Sequence, residues 1–191
     1  MKSGVSGFWL YVRIALLNLA VVGMFVSVSQ TPPPPVFRTL SVVRVPKQMP
    51  IVKSGIPNQI VINSLGMDLA VGVGSFNPQT GTWTIDDTKA YYADVSIPVN
   101  DKGGTTVIYG HNRRSVFTEL NLIQPGAQAD IYTDNGYHFR YVYQSMREVL
   151  PSDTSIFQDT GKPVLLLLTC SGGWDTYRSL FQFNFESVDR S

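Results

Sequence analysis

One cysteine, two histidines and one arginine carry most of what this 191-residue sequence can do chemically. Cys170 closes an apolar run, Val164-Leu-Leu-Leu-Leu-Thr-Cys170, and Arg178 follows eight residues later. His111 stands 59 residues ahead of the cysteine, in Tyr109-Gly-His-Asn112. A thiol with an ordinary pKa of about 8.5 is mostly protonated at neutral pH, so a cysteine nucleophile needs a base or cation beside it. Acyl transfer also builds an oxyanion, which the fork of an arginine can meet with hydrogen bonds and a permanent charge. The three side chains together suit cysteine acyl transfer. The competing reading of a lone cysteine is a small buried hydrophobe, and one Cys cannot form an intramolecular disulfide. The second histidine, His138, begins a hairpin strand beside Asn135-Gly136 and reads as a surface residue.

Strand ends must hold these groups. Thr105-Thr-Val-Ile-Tyr109 reads as a strand that stops at Gly110-His111, which fixes the imidazole while leaving it accessible. Val164 to Thr169 is apolar on both faces, the pattern of a central strand. From Arg178 to Val188 the residues alternate, with Phe181, Phe183 and Phe185 on one face and Gln182, Asn184 and Glu186 on the other. That parity places Arg178 opposite the phenylalanines. Further strands are expected at Gln59–Ile62, Met67–Val73, Thr82–Ile85, Gln128–Thr133 and His138–Met146, the last two joined at Asp134-Asn-Gly136. Val116–Ile123 reads as a short helix or 3₁₀ turn, and the loop from Leu150 to Lys162 as mobile. About eight closely spaced strands with few helices imply a mainly β fold, a closed barrel or a sandwich.

Composition sets the compartment. Hydrophobic residues make up 43% and charged residues 15%, and the net charge of +1 gives no sign of nucleic-acid binding. Phe8 to Ser29 is nearly continuous apolar sequence, about the ~20 residues that span a bilayer as a helix. Lys2 and Arg13 lie toward its N-terminal side, so the positive-inside rule keeps the N-terminus in the cytoplasm. A cleavable signal peptide is the alternative, with Ser27 and Ser29 ahead of a cut before Gln30. Thr31-Pro-Pro-Pro-Pro35 favours a stiff polyproline spacer. The expected organisation is a cytoplasmic N-terminus (1–7), a transmembrane signal-anchor helix (8–29), a Pro-rich extracytoplasmic stalk (30–55) and a catalytic domain (56–191). The expected location is the cell membrane, single-pass, with the domain outside the cytoplasm.

Tyr109-Gly-His-Asn112, then Leu167-Leu-Thr-Cys170, then an arginine at a strand start resemble the sortases, whose signature is a Gly-His turn, a Thr-Leu-x-Thr-Cys strand and an arginine. The resemblance runs over about residues 58–188. It includes Phe117-Thr-Glu-Leu120 and Val149-Leu-Pro-Ser-Asp153, which looks like the family's Val-x-Pro-x-Asp segment. Tyr109 departs from the Ala of a common Ala-Gly-His, which removes no catalytic group. The resemblance implies an eight-stranded sortase-type β-barrel behind one transmembrane helix, of class E/F-like or unclassified N-terminally anchored type. It implies catalytic His111, Cys170 and Arg178, with Thr169 a substrate-site-lining or structural residue beside the cysteine. The implied reaction cleaves an LPXTG-like sorting signal in an exported protein through a thioacyl-enzyme. The acyl group then passes to an amine on a cell-wall precursor, anchoring surface proteins, or alternatively to a pilin.

Other enzymes fit less well. A chymotrypsin-like cysteine protease would need Gly where Leu168 stands and more than the 21 residues that follow Cys170. A papain-like enzyme has its Cys before its His. An L,D-transpeptidase has an arginine close behind the cysteine in a Ser-x-Gly-Cys-x-Arg pattern that is absent here. The non-enzymatic alternative is an anchored β-barrel that binds an exported partner, with Cys170 inert. Two His and one Cys at wide spacing make no zinc pattern. Some sortases bind calcium, but no ligands are assignable here and no cofactor is expected.

Overall fold

The computed structural model describes residues 51–190. The expected membrane helix over 8–29 and residues 30–50 of the stalk lie outside the described residues. Among the described residues no helix is long and apolar enough to cross a membrane.

The strands, in chain order, are β1 (Ser54–Gly55), β2 (Pro57–Ile62), β3 (Met67–Gly74), β4 (Phe76–Asn77), β5 (Thr82–Trp83), β6 (Ala90–Ala93), β7 (Val99–Asn100), β8 (Gly104–Tyr109), β9 (Gln128–Thr133), β10 (Tyr137–Val149), β11 (Pro163–Ser171) and β12 (Tyr177–Arg190). Eight of them close a barrel in the order β10-β12-β11-β8-β6-β3-β2-β9. The pairs β8–β11 and β3–β6 are parallel, and the other barrel pairs are antiparallel. Helical structure among the described residues is confined to short 3₁₀ turns, including Thr118–Leu122 within the stretch expected to turn there.

The expected number of strands is met with a different membership. Thr82–Ile85 does not join the barrel; only Thr82–Trp83 is extended, and it pairs with β4 in a separate ribbon. Its place is taken by β6, which bridges β3 and β8. Ala90-Tyr-Tyr-Ala93 is too short to show a period, and all four residues are buried.

Two apolar layers follow from strand alternation. The barrel interior is filled by Ile60, Ile108, Ile131, Phe139, Tyr141, Leu165, Leu167, Phe181 and Phe183, all nearly fully buried. The outer layer gathers Tyr91, Val107, Tyr109, Val164, Leu166 and Leu180 under Ile156 of the β10–β11 loop. That loop is packed down: Ile156 is buried, and the Thr105 hydroxyl donates to the Gln158 carbonyl. Leu165 and Leu167 therefore point into the barrel, while Leu166 and Leu168 point into the outer layer. This is why β11 is apolar on both faces. Arg178 and Leu180 share that outer face, opposite Phe181 and Phe183.

Candidate active site

The site is built where two parallel strands end together. Leu168 on β11 pairs with Tyr109 on β8, and the ladder runs one step further through Gly110 N, which donates to Leu168 O at 3.1 Å. Thr169 points inward, 1% exposed, and its hydroxyl donates to Gly110 O at 2.9 Å. Residue 110 is glycine for want of space: a Cβ there would lie 2.7 Å from Val116 Cγ1 and 3.2 Å from the Phe117 ring. The Asn112 amide donates to Cys170 O at 3.1 Å. The residues on either side of His111, Gly110 by its backbone and Asn112 by its side chain, are thus fastened to the strand that carries Cys170.

Cys170 is half-buried on the outer face, directly opposite Arg178 across the β11–β12 pair. Burial pushes the thiol pKa up, the Arg178 charge pulls it down, and Asp175 adds a smaller upward push. Arg178 is held in place rather than free to swing: its Nη1 donates to Asp175 O at 2.8 Å and Tyr177 O at 2.9 Å. The connection that supplies Asp175 contains two consecutive non-glycine residues in the left-handed region, Trp174 (φ 57°) and Asp175 (φ 56°), and Trp174 is fully exposed.

Cys170 and Arg178 line a groove of about 590 Å³. Its apolar wall includes Val107, Tyr109, Ile156 and Leu168, with Trp83 at the centre of an aromatic group. The Trp83 ring meets Tyr109 edge-on at 5.3 Å and stacks on Phe157 at 6.3 Å. The β4–β5 ribbon that left the barrel therefore forms one bank of the groove. His111 is not among the groove-lining residues. Its Nε2 lies 3.6 Å from an Asp87 carboxylate oxygen, which also receives Arg113 Nε at 3.0 Å.

The structure thus brings Cys170, Arg178 and the His111 backbone to one rim, with Thr169 beneath them. His138 lies elsewhere: its Nε2 is 2.7 Å from Asp130, and its ring stacks on Tyr132 at 4.6 Å. Sequence reasoning missed Asp87, Asn112 and Trp83. Asn112 stands next to His111 in the motif and was the one within reach. Among the described residues no group of three or more His, Cys, Asp or Glu side chains is arranged to hold a metal ion.

Chemically, this arrangement offers a thiol beside a fixed guanidinium, in the lining of an apolar groove that suits an extended peptide. The family model described as Sortase domain matches residues 60–182. Solved structures share the architecture at low identity. Sortase A of Listeria monocytogenes aligns with TM-score 0.58 at 16% identity, covering 73% of this chain and 92% of that one. Sortase C from Clostridium perfringens SM101 aligns at 0.56 and 18% identity, covering 71% and 72%. Sortase C1 from Streptococcus agalactiae aligns at 0.53 and 20% identity, covering 69% and 68%. No curated protein matches the chain.

Proposed function

This chain belongs to the sortase family and is a cysteine transpeptidase, and we propose that it anchors exported proteins at the cell surface through Cys170, His111 and Arg178. The observation that carries this reading is the in-register pairing of Cys170 with Arg178 in the lining of the apolar groove. The non-catalytic alternative falls with family membership.

In the proposed reaction the Cys170 thiolate attacks the carbonyl carbon of a Thr–Gly-type bond in an LPXTG-like signal. The guanidinium of Arg178 meets the oxyanion of the tetrahedral intermediate. His111 as imidazolium gives its proton to the leaving amine, the C–N bond breaks, and a thioester to Cys170 remains. An amine on a cell-wall precursor then attacks the thioester, His111 takes its proton, and the thiolate departs. Because burial raises the thiol pKa, only a minority of molecules carry the thiolate at neutral pH. The apolar run over residues 8–29, with Lys2 and Arg13 toward its N-terminal side, supports a single-pass anchor with the N-terminus in the cytoplasm.

The test is intact-mass analysis of the full chain with a thiol-trapping peptide built on Leu-Pro-x-Thr. One adduct is expected on wild type and none on Cys170→Ala. Fast labelling by a small alkylator without any peptide adduct would overturn the assigned signal. Supplying either a cell-wall-precursor amine or a pilin lysine as acceptor separates anchoring from pilin polymerisation.

A further inference from the structure

We infer that Asp87 is a positioning residue for His111: it holds the Nε2 edge of the imidazole and leaves Nδ1 to exchange the proton with the Cys170 thiol and the leaving amine. The functional half of this rests on the transpeptidase reading above; the geometric half does not.

The contact itself is modest. At 3.6 Å the Asp87 oxygen is beyond hydrogen-bond length from His111 Nε2 but within ion-pair reach of a protonated ring. Asp87 is half-exposed, and such a pair adds little to stability. What distinguishes it is how firmly the segment that carries Asp87 is placed. The neighbouring Asp86 accepts from Thr88 N at 2.8 Å, Thr88 Oγ1 at 2.9 Å and Lys89 N at 3.2 Å, and Tyr91 OH donates to its other oxygen at 2.6 Å. These bonds, that from Tyr91 foremost, hold the Asp86 carboxyl far below the usual carboxylate range.

The same segment is tied to the strand end that carries His111. The Tyr91 ring stacks on Tyr109 at 5.9 Å, and Tyr109 OH donates to Thr84 O at 2.6 Å. From the far side of the histidine, Ser115 Oγ donates to Asp87 O at 2.7 Å, and Arg113 fastens the carboxylate at 3.0 Å. Residues before and after His111 in the chain thus reach back to residues 84–91 and set Asp87 against the ring.

A histidine that shuttles a proton must present one nitrogen to the reacting groups, and the partner of the other nitrogen decides which one. With Nε2–H toward a carboxylate, the neutral ring keeps its lone pair on Nδ1. The thiol proton passes to Nδ1 as thiolate forms, and the same proton leaves on the departing amine.

The experiment pairs kinetics with spectroscopy on the full chain, using Asp87→Asn and Asp87→Glu. With the Leu-Pro-x-Thr trapping peptide, Asp87→Asn is expected to lower the maximal acylation rate roughly 10- to 100-fold at an unchanged half-saturating concentration. Asp87→Glu, which keeps the charge, should recover most of it. The ¹⁵N resonances of the His111 ring should report Nε2–H in wild type and shift toward Nδ1–H in Asp87→Asn. Ring shifts unchanged by Asp87→Asn, or an Asp87→Asn enzyme as fast as wild type or faster, overturn the proposal. If wild type forms no acyl-enzyme with any peptide, the transpeptidase reading falls, and the ring shifts still decide the Asp87–His111 pairing.

Discussion

Cys170 and Arg178 are direct partners on adjacent antiparallel strands, so the ladder that closes the barrel also sets the distance between thiol and guanidinium. Side chains opposed in this way start about 5 Å apart at Cβ. Hydrogen bonds to Asp175 O and Tyr177 O then fix the direction of the arginine head.

Arg178→Lys keeps the charge and loses the planar fork. We expect acylation by the trapping peptide to fall about 100-fold or more, on the scale of losing an oxyanion donor. A lysine variant within threefold of wild type would remove the fork from the mechanism.

The raised thiol pKa is directly measurable. The rate of Cys170 alkylation by iodoacetamide should climb with pH and level off only above the value for an ordinary thiol, about 8.5. Replacing Arg178 by Ala removes the charge that favours thiolate and should move that climb to higher pH. Asp175→Asn should move it the other way. A wild-type plateau already reached by pH 7 would contradict the burial argument.

The two faces of β11 predict opposite phenotypes. Leu167→Ala opens a cavity inside the barrel and should cost about 2–5 kcal/mol in chemical denaturation. Leu168 is only partly buried and lines the groove, so Leu168→Ala should change stability far less and raise the half-saturating peptide concentration. Equal stability losses in both variants would mean that the groove wall is part of the core.

Thr169→Val preserves shape and removes the hydroxyl that donates to Gly110 O. We expect about 1 kcal/mol of destabilisation and a lower maximal rate at unchanged half-saturation, because Gly110 carries His111. A normal rate in a measurably less stable variant would leave Thr169 with a purely structural part.

The sequence shows these residues unequally, for physical reasons. Cys170, Arg178 and His111 sit where strand patterns stop, and period-2 alternation correctly assigns Arg178 to the face opposite the phenylalanines. The β6 strand is hidden because it is four residues long and buried throughout, leaving no alternation to read. Thr82–Ile85 looks like a barrel strand because β-branched and aromatic residues describe any pleated surface, including one that walls a groove. Asp87 lies 24 residues before His111, and the contacts of Tyr91, Tyr109, Arg113 and Ser115 bring the two segments together.

The chain joins the barrel far from the rim where Cys170 stands. Lys53 Nζ donates to Val188 O, Asn135 Nδ2 to Ser54 O, and Ile56 N to Asp134 Oδ1. Val188 lies ten residues along β12 from Arg178, which at about 3.3 Å per residue is roughly 30 Å of strand. A tether ahead of Ile51 would therefore pull on the end of the barrel remote from the thiol. Force along it would load the hydrogen bonds of Lys53, Ser54 and Ile56 before reaching the Cys170–Arg178 pair. The barrel separates the entry of the chain at Lys53–Ile56 from the Cys170–Arg178 pair.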